Sequence, residues 1–164
     1  MSDIDWPATV LALLNSTPVV DGVAADVLGD DDDARRWLCE HGAAGEQDLA
    51  LVRRLRDDLQ SVVRGSAVAS TLNTYLDGYV KLPQVDDAGL HWQLDPEPGW
   101  PTRIILAWGA IQRDNPGRLR PCGNPDCRLF LLDRTRAGTA RWCSMSVCGN
   151  RMKVRRHYSR TAGN

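Results

Sequence analysis

The stretch RWCSMSVCGNRMKVRRHYSR, residues 141–160, decides the reading of this chain. Cys143 and Cys148 have four residues between them, Gly149 follows, and the chain then runs into a basic tail. Such a segment is either a metal knuckle that opens a nucleic-acid-binding helix or a solvated cationic end. A second cysteine pair nearby would select the first reading.

Upstream, RPCGNPDC supplies Cys122 and Cys127, giving the pattern C-x4-C-x15-C-x4-C. Two close pairs joined by a hairpin-length spacer can bring four soft thiolates to one tetrahedral zinc ion. Gly123, Asn124, Pro125 and Asp126 suit the tight knuckle of the first pair. Between the pairs, RLFLLD and TARW predict two short strands around the turn Ala137-Gly138. Ser144 is a natural N-cap for a helix after Cys143. Four cysteines within 27 residues of a cytosolic chain argue for metal over disulfides. A closed set of thiolates leaves no open position for substrate, so the zinc, one per chain, is expected to be structural. It supplies folding energy that so short a segment cannot draw from a core. Cys39, alone in RRWLCEHG, reads as a buried structural thiol.

The net charge of −1 hides a split. Residues 1–117 hold 9 Lys+Arg and 19 Asp+Glu, a net of −10. Residues 118–164 hold 11 Lys+Arg and only Asp126 and Asp133, a net of +9. Four thiolates with Zn²⁺ lower the +9 to about +7. This asymmetry points to a basic module that meets a polyanion, attached to an acidic domain with another role. The alternative is that the two halves attract one another within one fold or dimer. No apolar run approaches the ~18 residues of a membrane span, and MSDIDWPATV lacks a signal-peptide pattern, so a cytoplasmic location is expected. No HExxH, phosphate-binding glycine loop or nucleophile motif is present, so no enzyme is expected.

Periodicity predicts a mainly α fold with a small β-hairpin. Residues 5–15 place Val10, Leu11, Leu13 and Leu14 on a helical pattern. The acid run Asp30 to Asp33 caps a helix through ARRWLCE, and Gly42 stops it. Residues 46–64 recur apolar at Leu49, Val52, Leu55, Leu59, Val62 and Val63. Residues 67–80 read as a further helix through Val68, Leu72, Tyr75, Leu76 and Tyr79. KLPQVDDAGLHWQLD predicts two strands around residues 86–89. Residues 101–113 predict a helix with Ile104, Ile105, Trp108 and Ile111. Asn115-Pro116-Gly117 is a turn and the expected boundary between domains 1–117 and 118–164.

CSMSVCGNRMKVRRHY, with CGNPDC and FLLDRTRAGTARW before it, resembles the CGNR zinc-finger family, named for the tetrad at 148–151. LALLNSTP, the helices and the late hairpin resemble the ABATE domain, the helical domain that accompanies this finger in bacterial regulators. The resemblance spans nearly the whole chain. It implies a transcription regulator with a treble-clef-like four-cysteine finger of hairpin and helix that binds double-stranded DNA. The aromatic-Leu-Asp stretch expected after the first pair stands here as Phe130-Leu131-Leu132-Asp133, with one extra apolar residue.

On a helical wheel for 144–160, Val147, Val154 and Tyr158 cluster, with Cys148 and Met152 continuing that sector toward the metal. Asn150, Lys153, Arg156, His157 and Arg160 share the opposite side, the candidate groove-facing surface. Arg151 and Arg155, also candidate DNA contacts, fall within the apolar sector. For Arg151 both DNA contact and a lock onto Asp133 or buried carbonyls stay open. Arg134, Arg136 and Arg141 are candidate phosphate contacts. One small finger offers few base contacts, so specificity calls for a dimer.

The acidic domain is expected to dimerise and is long enough to hold a small-molecule pocket. Trp37, Trp92, Trp100 and Trp108 are candidate pocket walls or plain packing. Asn15 is a helix C-cap or a ligand contact. Two further readings compete with a DNA-binding regulator: an RNA-binding zinc protein, for which stacking aromatics are scarce, and a zinc module for protein interaction.

Overall fold

The computed structural model describes residues 4–20 and 23–161. In the acidic half, caps set the helix boundaries. Asp5 accepts a hydrogen bond from the Ala8 amide at 2.9 Å, and helix α1 (Trp6–Leu14) follows, with Pro7 in its first turn. Strands β1 (Val19–Val20) and β2 (Val23–Ala24) form a short antiparallel pair. Asp30 then accepts from the amides of Asp32 and Asp33 and opens α2 (Asp31–Glu40). Gly42 ends that turn at a φ of +80°, where a Cβ would also strike Ile4. Asp48 caps α3 (Leu49–Arg64), which stops at Gly65, φ +76°.

Helix α3 carries Leu49, Val52, Leu55 and Leu59 into the core. Each fully buried leucine stabilises by about 1.5–3 kcal/mol. The expected helix over 67–80 contracts to a 3-10 segment, Ala69–Tyr75, that buries Leu72 and Tyr75. The Thr71 hydroxyl bonds the Val68 carbonyl, and Gly78 at φ +82° precludes a continuous α-helix through 80. Strands β3 (Val80–Asp86) and β4 (Gly89–Asp95) pair around the turn the sequence predicts. Helix α4 (Trp100–Asp114) buries Ile104, Ile105 and Ile111.

The basic half begins with β5 (Leu119–Pro121), which pairs antiparallel with β6 (Phe130–Leu132). A π-turn over Met145–Gly149 leads directly into α5 (Asn150–Thr161). The hairpin of the finger therefore differs from the expected one. Residues 128–133 pair with the segment before the first cysteine, not with 139–142, so the hairpin encloses the first knuckle. Segment 133–140 instead folds around the Asp133 carboxylate.

One hydrophobic core serves both halves. It draws on α1, α2, α3, α4 and the 3-10 segment, and it includes Leu119 and Phe130 from β5 and β6. Cys39 corrects a sequence expectation: it is exposed, because α2 turns Leu38 inward and leaves its neighbour outside. Among the described residues no helix is long and apolar enough to cross a membrane.

Candidate metal centre and nucleic-acid interface

The four cysteines of the sequence pattern converge. Cys122 lies just past β5, Cys127 closes the first knuckle, Cys143 precedes the π-turn and Cys148 lies within it. Their Sγ atoms all fall within 4.8 Å of one another. Cys143 Sγ is 3.7 Å from Cys127 Sγ and 3.7 Å from Cys148 Sγ. A regular tetrahedron with Zn–S bonds of about 2.3 Å has edges of about 3.8 Å. A disulfide would need about 2.05 Å, and all four thiols are free. The donor set fits one structural zinc ion.

Hydrogen bonds to sulfur complete the cage. The Cys143 amide donates to Cys122 Sγ at 3.4 Å, the Leu129 amide to Cys127 Sγ at 3.5 Å, and the Asn124 side-chain amide to Cys148 Sγ at 3.4 Å. Such donors orient thiolates and temper their charge. Burial pushes the Cys143 and Cys127 thiols up from their ordinary value. At Cys148 burial acts the same way, but the bonds from Asn124 and the neighbouring thiols outweigh it and hold the group down. The charge of a bound metal would let four clustered thiolates, two of them buried, share one site.

Both glycines beside the cysteines pack on Trp142. A Cβ on Gly123 would lie 3.0 Å from the Arg141 carbonyl oxygen and 3.3 Å from the Trp142 ring. One on Gly149 would lie 3.0 Å from Met145 Sδ and 3.3 Å from Trp142. The Ser144 hydroxyl accepts from the Val147 amide, the cap expected from the sequence.

Asp133 organises the loop between the pairs. Its carboxylate accepts from the Thr135 hydroxyl at 2.6 Å, the Thr135 amide at 2.9 Å, the Ala140 amide at 2.9 Å and Arg120 at 2.7 Å. The Thr135 hydroxyl bond comes first among the effects that hold this carboxyl down to about 2. Arg120 also donates to the Ala140 carbonyl at 2.6 Å and the Gly138 carbonyl at 3.0 Å. This network went unread in the sequence; the Asp-x-Thr spacing at 133–135, an Asx-type turn signal, was the available clue. It also excludes the lock suggested for Arg151, since Arg118 and Arg120 take Asp133 and Arg151 is exposed.

Helix α5 stands out from the body. Asn150, Arg151, Lys153, Arg155, Arg156 and His157 are all exposed. Arg155 pairs with Asp126 at 3.1 Å across to the first knuckle. The side chain of Arg160 lies outside the described residues. Contrary to the wheel, much of the apolar sector is exposed: Val147 is 56% exposed, Val154 54% and Tyr158 69%. Only Cys148 and the half-buried Met152 on that sector turn inward. Arg134 and Arg136 are exposed, with Arg134 4.0 Å from Asp5, and Arg141 lies over the Trp142 ring at 5.2 Å.

The candidates in the acidic half do not assemble into one pocket. Asn15 caps α1, and its side chain does more: it donates to the Phe130 carbonyl at 3.3 Å and accepts from the Phe130 amide at 2.8 Å. Trp37 stacks on His41 with ring centroids 3.8 Å apart and meets Trp100 edge-on at 6.1 Å. Trp92 is exposed on β4. Trp108 packs against the core with its indole N–H buried and without an acceptor among the described residues.

A helical core carrying a treble-clef-like finger with a closed four-thiolate zinc site defines the class of protein. The sequence model of the CGNR zinc finger matches residues 118–161. That of ABATE, described as a putative stress-induced transcription regulator, matches residues 8–119. The chain belongs to the ABATE family and ends in a CGNR zinc finger, a combination that marks a zinc-binding regulator. No curated protein sequence matches it.

Proposed function

We propose that the protein is a DNA-binding transcription regulator that acts as a homodimer, with α5 entering the major groove. The observation that carries this reading is the exposure of α5 on nearly every side, leading out of the four-cysteine cluster within a module whose net charge stays at about +7 with zinc bound. Asn150 and Arg151, at the metal-anchored end, suit adenine and guanine edges. Val147 and Val154, left unpacked, suit thymine methyl groups. Lys153, Arg156 and Arg136 suit phosphates. Binding rather than catalysis is the role, because the thiolates fill the zinc coordination shell. The acidic half supplies the dimer contact and is the place for any effector.

Selection of bound duplexes from a random pool, at moderate salt and beside a Cys143→Ser protein, tests the reading. An enriched palindrome that the variant loses supports it, and affinity falls steeply with salt as counterions are released. No enrichment, or enrichment unchanged in the variant, overturns it.

A further inference from the structure

The β3–β4 hairpin contributes none of the core residues. Its strands pair with each other and, among the described residues, with no other strand. All of β3 is exposed, and in β4 only Leu94 is half-buried. A lone two-stranded hairpin is marginal in water, yet this one displays a tryptophan and several aliphatic side chains.

Its register sorts those side chains. Lys81 faces Leu94, Pro83 faces Trp92, and Val85 faces Leu90, so these six share one face. Val85 is 78% exposed, Leu90 67% and Trp92 56%. The other face carries Gln84, His91, Gln93, Asp86 and Asp95 beside Val80 and Leu82. One apolar face with a single tryptophan at its middle is the pattern of an interface rather than of scattered surface residues. Nucleic acid does not suit it, because Lys81 is the only Lys or Arg on an arm that also holds Asp86, Asp87 and Asp95.

We propose that this hairpin is the arm through which two copies of the chain associate, face to face and antiparallel. The proposal deepens the dimeric reading above and rests on it. The face is self-complementary about a two-fold axis through the Pro83–Trp92 pair. Rotation about an in-plane axis across the strands lays Trp92 on its counterpart and Leu94 on the other copy's Leu90. It also brings Lys81 at the base to the other copy's Asp87 at the turn. Lys81, the one charge on this face, then lies at the end of the other copy's hairpin that carries Asp87, and the match occurs twice, as an isologous contact requires. Strands of seven residues make the patch about 23 Å long, the scale of a small, reversible interface.

Sedimentation velocity on the full zinc-loaded chain across the micromolar range is the test. The wild type is expected to be dimeric, and Trp92→Glu monomeric with zinc content unchanged. Lys81→Asp should weaken association about tenfold, and adding Asp87→Lys should restore it. A wild type that stays monomeric, a Trp92→Glu protein that still dimerises, or a double variant no better than the single one overturns the arm. A monomeric wild type that still enriches specific duplexes would sink the arm and spare DNA binding. A dimer lost in Trp92→Glu, with no duplex enriched, would support the arm and sink DNA recognition.

Discussion

The tripeptide Cys-Gly-Asn occurs twice, at 122–124 and at 148–150, and the two copies have opposite fates. Both cysteines are buried ligands. In the first copy Asn124 is 1% exposed and spends its amide on Cys148 Sγ. In the second, Asn150 is exposed at the start of α5 and donates only to the Ser146 carbonyl, one turn back. The residue that follows explains the difference. Pro125 disfavours helical backbone at Asn124, so the chain turns and the amide folds back on the metal. Arg151 permits the helix to propagate, so Asn150 is carried outward. The same three residues serve as cage in one place and as display in the other.

The largest effect should treat the copies alike. Cys122→Ser and Cys148→Ser are each expected to reduce zinc from one per chain to none and unfold the finger, since structural zinc binding is worth about 10–16 kcal/mol. Metal analysis with far-ultraviolet circular dichroism reads this, and a variant that retains zinc would break the comparison at its root. Asn124→Ala should then lower zinc affinity about 10–100-fold in chelator competition, while Asn150→Ala leaves it unchanged. Equal losses would mean that Asn150 also serves the metal.

The glycines should separate next. Gly123→Ala is expected to cost about 1–3 kcal/mol in thermal unfolding, because the Arg141 backbone carbonyl cannot easily yield. Gly149→Ala should cost under about 1 kcal/mol, because the Met145 side chain can swing aside. The smallest effect expected is from Asn150→Ala on the preferred duplex, a loss of about 1 kcal/mol in discrimination with zinc content intact. No loss there would restrict the display to the arginines and valines beside it.

Some of this was legible in the sequence and some was not, for identifiable reasons. Ligand spacing located all four thiolates because metal geometry depends on few residues close in the chain. Asp30 announced its helix because capping is local, and the same chemistry at Asp5 and Asp48 shows only in the structure. Periodicity found the apolar sector of α5 but could not say how much of it is covered: Cys148 is buried, while Val147 and Val154 stay more than half exposed. The same blindness placed Cys39 inside, where α2 leaves it outside. Strand pairing failed where a long-range competitor intervened. Asp133 collects the amides of Thr135 and Ala140, and the segment near Leu119 takes the partnership that 139–142 was expected to fill.

Asn15 and Arg64 carry a last consequence. Asn15 lies along β6 like a one-residue strand, bonding both backbone groups of Phe130. Arg64 covers the Phe130 ring at 4.4 Å and donates to the Arg128 carbonyl at 2.7 Å. The finger is therefore keyed into its neighbour like a plug in a socket. A graft of residues 118–161 onto another protein would carry Phe130 without its socket, and a shift of α1 would be transmitted to the strand that precedes Asp133. Modularity on the page of the sequence is, in three dimensions, a mechanical linkage.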